Sequence, residues 1–141
     1  MRKSLASIFI ESKIPPSYES EVQFTSIQSN LISSFLPFLS QKLGISPLPK
    51  IILTGTKHED MTTGSISIKS NLIKVLAKVR LLADIFRTLS HEMTHYKQIQ
   101  EGRDENSERK AELEGEADVL AGQIVYEFAH LNEENSQIYS I

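Results

Sequence analysis

Apolar positions recur along this chain at two different periods. Phe24, Ile27, Leu31 and Phe35 follow one another in steps of three and four, with Ile32, Leu36 and Leu39 beside them. That is the stripe of an amphipathic helix. Pro15-Pro16 breaks the chain before it and Gly44 supplies a C-terminal cap after it, so the pattern predicts a helix from about Glu19 to Leu43. Pro37 falls inside this run and predicts a kink or the start of a last segment.

Beyond Pro47 and Pro49 the period shortens. Ile51-Ile52-Leu53 is a β-branched run bounded by breakers, and Gly64-Ser65-Ile66-Ser67-Ile68-Lys69 alternates polar with apolar. Both predict strands, separated by a polar loop from Gly55 to Thr63. Ser70-Asn71 allows a turn, and Leu72 to Leu76 fits either a further strand or the lead-in to a helix. Leu82, Ile85, Phe86, Leu89, Met93 and Tyr96 restore the helical period until Gly102. After the charged stretch Arg103 to Lys110, the stripe Ala117, Leu120, Ala121, Ile124, Phe128 and Leu131 predicts a final helix. Asn132 to Ile141 reads as a flexible tail, able to fold over a site.

The expected architecture is a single α+β domain over residues 1–141, with its core at about 50–131. A small mixed or antiparallel sheet packs with two helices, and the N-terminal helix lies behind. Met1 to Ile10 is apolar but short, broken by serines and followed by Glu11 and Lys13. It reads as an edge strand, not a signal peptide, and the expected location is cytoplasmic. No apolar window reaches the roughly 18 residues a membrane span needs, so no membrane insertion is expected.

Composition narrows the chemistry. The chain of 141 residues carries a formal net charge of −3, with no basic excess to suggest a nucleic-acid partner. It has no cysteine, which excludes disulfides, thiol catalysis and cysteine-ligated zinc. Any metal site must use His, Asp or Glu.

His91-Glu92-Met93-Thr94-His95 supplies such a site. Residues four apart on a helix point the same way, so both imidazoles can reach one metal ion. Glu92 lies beside the pair, placed to take a proton from water activated by that ion. Zinc suits two neutral imidazoles and an open position for water. On a helical wheel both histidines point away from Leu82, Ile85, Leu89 and Met93, which fits a solvated face equally well. A third ligand comes from Glu112-Leu113-Glu114-Gly115-Glu116-Ala117-Asp118. Glu114 falls on the apolar stripe with Ala117 and Ala121, where a carboxylate needs a partner. Glu112 and Glu116 lie about 160° away, toward solvent. Asp118, one turn on, can receive the second N–H of a ligand imidazole. The bland alternative is a charged helix start whose acids complement the dipole.

His91-Glu92-Met93-Thr94-His95 with Glu114-Gly115-Glu116-Ala117-Asp118 resembles the gluzincin metallopeptidases. The Glu-x-x-Ala-Asp form is most similar to the prenyl-protein and heat-shock membrane proteases, to small soluble minigluzincins, and to metallopeptidase-like proteins of phage genomes. The resemblance covers about Leu81 to Phe128. It implies zinc-dependent hydrolysis of a peptide or protein substrate, with one Zn2+ on His91, His95 and Glu114, Glu92 as general base and Asp118 behind a ligand. It also implies that Ile66-Ser67-Ile68 resembles the edge strand beside the substrate. Two departures stand out: the membrane helices of the large relatives are missing, and no residue matches their transition-state stabiliser, although Tyr126 and His130 are near in sequence. A domain of this kind can also bind a peptide with little catalysis, or act as a transcription or stress regulator that cleaves one partner only; an intact Glu92 favours catalysis. His58-Glu59-Asp60 reads as a solvated turn.

Overall fold

Thr25 sets the start of the first helix. Its Oγ1 accepts the Gln28 backbone N–H at 3.2 Å, and Gln28 Oε1 accepts the Thr25 N–H at 2.9 Å. This reciprocal capping box fixes the chain's entry into the helix. In the computed structural model, which describes residues 17–56, 63–103 and 109–141, helix α1 spans Ser26–Leu43. It is shorter than the apolar stripe suggested, because Phe24 precedes the cap and Glu19–Ser20 forms a short strand, β1. Pro37 neither ends nor restarts α1. It sits on the exposed side with Ser33, so the Ser33 carbonyl, which loses its helical partner to the proline, lies on the solvent side of the helix. Gly44, at φ 68°, closes the helix as expected.

Three further strands follow: β2 (Lys50–Thr54), β3 (Gly64–Ser67) and β4 (Leu72–Leu76). The sheet is mixed, in the order β1-β2-β4-β3. β1, β2 and β4 run parallel, and β3 pairs antiparallel with β4, Ile66 opposite Ile73. Leu72 to Leu76 is thus an inner strand, and β3 is the edge. Ile51, Leu53, Ile73 and Val75 are buried at alternate positions, the face that meets the helices. Ile68, expected within this strand, lies just beyond its end. It begins the turn closed by the Asn71 N–H on the Ile68 carbonyl, at 3.1 Å.

Helices α2 (Leu82–Gln100) and α3 (Lys110–Ala129) pack against each other, with α2 also lying on β3 and β4. Phe35 of α1 stacks on Phe86 of α2 at 4.1 Å between centroids and meets Phe128 of α3 edge-on at 5.1 Å, joining the three helices. The last ten residues are not a loose tail. Asn135–Tyr139 forms a 3-10 helix in which Ile138 is fully buried, and Asn135 Nδ2 donates to the Phe128 carbonyl at 2.9 Å. The Ile141 carbonyl accepts the Leu82 N–H at 2.7 Å. The segment therefore docks at the start of α2, nine residues before His91, which is about 14 Å along a helix.

Among the described residues the fold is α+β, with three α-helices and a four-stranded mixed sheet. Among the described residues, no helix is long and apolar enough to cross a membrane. The expected Met1–Ile10 strand and the His58-Glu59-Asp60 turn lie outside the described residues.

Candidate metal centre

Helix α2 places His91 and His95 one turn apart, on the side that α3 crosses. The solvated-face alternative therefore fails: the two side chains keep only 21% and 19% of their exposure. His91 Nε2 and His95 Nε2 lie 3.1 Å apart. Glu114 Oε1, from the second turn of α3, is 3.0 Å from the first and 3.2 Å from the second. A tetrahedral ion bound at about 2.0–2.1 Å separates its ligand atoms by roughly 3.3 Å, so this triangle is already close to the required size. His91, His95 and Glu114 form a group that could hold a metal ion.

Glu114 is not on the buried stripe itself. That line runs through Leu113, Ala117, Ala121 and Ile124, while Glu114 flanks it and keeps 46% exposure. Its carboxylate is therefore not forced to pair by burial; proximity to the histidines distinguishes it from its neighbours.

The far nitrogens of both rings are occupied. Asp118 Oδ1 lies 2.9 Å from His91 Nδ1. Gln98 Oε1 lies 2.8 Å from His95 Nδ1. Sequence spacing gave Asp118 but not Gln98. It also missed the partners of Glu116, which is only partly in solvent: its Oε1 accepts from Gln98 Nε2 at 2.9 Å, and Arg103 donates to both its oxygens at 3.1 and 3.0 Å. Arg103, and then Gln98, hold the Glu116 carboxyl below the ordinary carboxylate range. Among the described residues Glu112 pairs only with Arg109, on the exposed start of α3.

Glu92 is half-buried beside the triangle. Burial raises its pKa, against the opposing pull of His91 and His95, while Glu114 adds to the rise. Gly64, the first residue of β3, lies against it: a β-carbon there would be 2.8 Å from Glu92 Cγ and 2.8 Å from Thr88 Cγ2. β3 thus runs past the general-base candidate, with Ile66 packed toward the core and Ile68 beyond its end.

Tyr126 and His130 are not brought to the centre. They stack on each other at 3.9 Å, and His130 Nδ1 bonds the Tyr126 carbonyl at 2.8 Å. Tyr126 is twelve residues from Glu114, about 18 Å along the helix. Compared with protein-family models, curated proteins and solved structures, the chain matches none.

Proposed function

We propose that this chain is a zinc-dependent metallopeptidase of gluzincin type. The observation that carries the reading is the convergence of His91 Nε2, His95 Nε2 and Glu114 Oε1 within 3.2 Å, with both Nδ1 atoms already facing acceptors. With both Nδ1 atoms facing acceptors, the Nε2 lone pairs and the carboxylate oxygen converge on one point, which suits a single bound cation. Two imidazoles and one carboxylate are a donor set that zinc accepts with a position left open. When bound, zinc would supply Lewis acidity to a carbonyl and acidify a water to near neutrality.

The chain's own residues do the rest. Glu92 takes the proton of the attacking water and returns a proton to the leaving amine. Its burial favours this, because a raised carboxyl pKa moves it toward the range where a group both accepts and releases protons near neutral pH. Gly64 leaves room for the Glu92 stem. The β3 edge offers backbone groups to an extended peptide, which would join the sheet as an added strand. The likeness of His91–His95 and Glu114–Asp118 to the gluzincin pattern favours a peptide bond over other hydrolysable bonds.

The test is cleavage of a diverse peptide library by zinc-loaded wild type and Glu92→Gln, read by mass spectrometry with zinc content measured alongside. Wild type is expected to cut, and the variant to keep its zinc while losing about 10²–10⁴-fold in rate. Equal rates in both would overturn the role of Glu92. Zinc uptake with no cleavage by either would favour a peptide-binding domain instead.

A further inference from the structure

His95 does not choose its own tautomer. The chain of contacts behind it runs from Arg103 through Glu116 and Gln98 to the ring. Arg103 carries donors only and keeps its charge at any working pH, and it holds both oxygens of Glu116. Gln98 Nε2 meets Glu116 Oε1 at 2.9 Å and the Leu113 carbonyl at 3.0 Å. Both partners are acceptors, so this end of the amide must be the NH2 group. The opposite end, Oε1, then faces His95 Nδ1 at 2.8 Å and can only accept. A proton on Nδ1 satisfies that contact; a proton on Nε2 would leave two acceptors facing each other. Gln98 is only 1% exposed, so water does not replace a missing partner.

We propose that Gln98, oriented by Glu116 and Arg103, is a positioning residue that fixes His95 with its Nε2 lone pair directed at Glu114 and His91. The inference rests on reading those three residues as a metal centre. The same contacts also tie the end of α2 to the first turns of α3, the helix that carries Glu114. The local chain is shaped for it. Gly102, at φ 73°, turns the backbone after α2, and the Arg103 N–H bonds the Gln98 carbonyl at 2.9 Å. This reversal brings the Arg103 guanidinium back beside α3.

The relay is tested first in the metal-free wild-type chain, at about pH 9, above the ordinary imidazole range. Long-range ¹H–¹⁵N correlation reads which ring nitrogen carries the proton. His95 is expected to be protonated on Nδ1. Zinc affinity is then measured against a competing chelator for wild type and Gln98→Met, which keeps length but removes both polar ends. The variant is expected to lose the single His95 tautomer and about 10–100-fold in zinc affinity, the usual effect of losing a group behind a metal ligand. A His95 protonated on Nε2 in wild type would overturn the proposal, as would a folded Gln98→Met that binds zinc within twofold of wild type. Should Gln98→Met not fold, the wild-type tautomer decides alone. A wild type with His95 protonated on Nδ1 that takes up no zinc would support the relay and overturn the metal reading, so the two failures are distinct.

Discussion

Two glycines make opposite demands at the residue scale. At Gly64 a β-carbon would collide with the Glu92 stem and with Thr88, whose Oγ1 is held by Arg80 Nη2 at 2.9 Å. Neither neighbour can give easily. Gly64→Ala is therefore expected to displace Glu92, to lower stability by about 1–3 kcal/mol as overpacking does, and to slow peptide cleavage while zinc uptake stays near wild type. Denaturant melts and rates measured on the same preparation check this; unchanged cleavage would mean that Glu92 has room to spare. At Gly115, on the exposed side of α3, nothing lies within 4 Å of the added carbon. Gly115→Ala is expected to stabilise the chain by about 0.5–1 kcal/mol, the ordinary helix-propensity gain. His91, Glu92 and His95 were legible in the sequence because their chemistry depends on spacing within one helix. Gln98 and Glu116 were not. A helical wheel for α3 alone sends Glu116 toward solvent, and only the crossing of α2 over α3, together with the turn at Gly102, supplies its partners.

At the scale of elements, periodicity located α1, α2, α3, β2 and β3, left Leu72 to Leu76 open between strand and helix, missed β1, and misjudged two ends. Phe24 continues the α1 stripe into a segment that is not helical, because the stripe records burial and the Thr25–Gln28 box records where the helix begins. That box, a Thr followed three residues later by Gln, was present in the sequence and is the better signal. The tail misled for a different reason. Asn132 to Ile141 is mostly polar, yet one residue, Ile138, is fully buried and holds the segment in place. Ile138→Ala is expected to cost about 2–5 kcal/mol, the range for emptying a core position of that size. Removing residues 132–141 is accordingly expected to lower the melting temperature and leave no gain in cleavage. A shortened chain as stable as the whole one would contradict the packing described here.

For the whole molecule, the candidate centre is a property of the α2–α3 pair. His91 and His95 come from one helix and Glu114 and Asp118 from the other, so metal binding and the docking of these helices are linked. An ion that binds only the folded chain stabilises it by about 2.7 kcal/mol at a free concentration 100 times its dissociation constant. Chelation is therefore expected to lower the thermal midpoint, and the difference between chelated and zinc-loaded samples should disappear in Glu114→Ala. The sheet's part is to hold α2 from below and present β3 beside Glu92, an arrangement whose strand order no local pattern encodes.

The most direct test is zinc stoichiometry after stripping and reloading, measured by elemental analysis for wild type, Glu112→Ala and Glu114→Ala. The expected result is one zinc per chain in wild type and in Glu112→Ala, with its loss in Glu114→Ala. A wild type that takes up no zinc, or a Glu114→Ala that keeps it as tightly as wild type, would contradict the assignment of the centre.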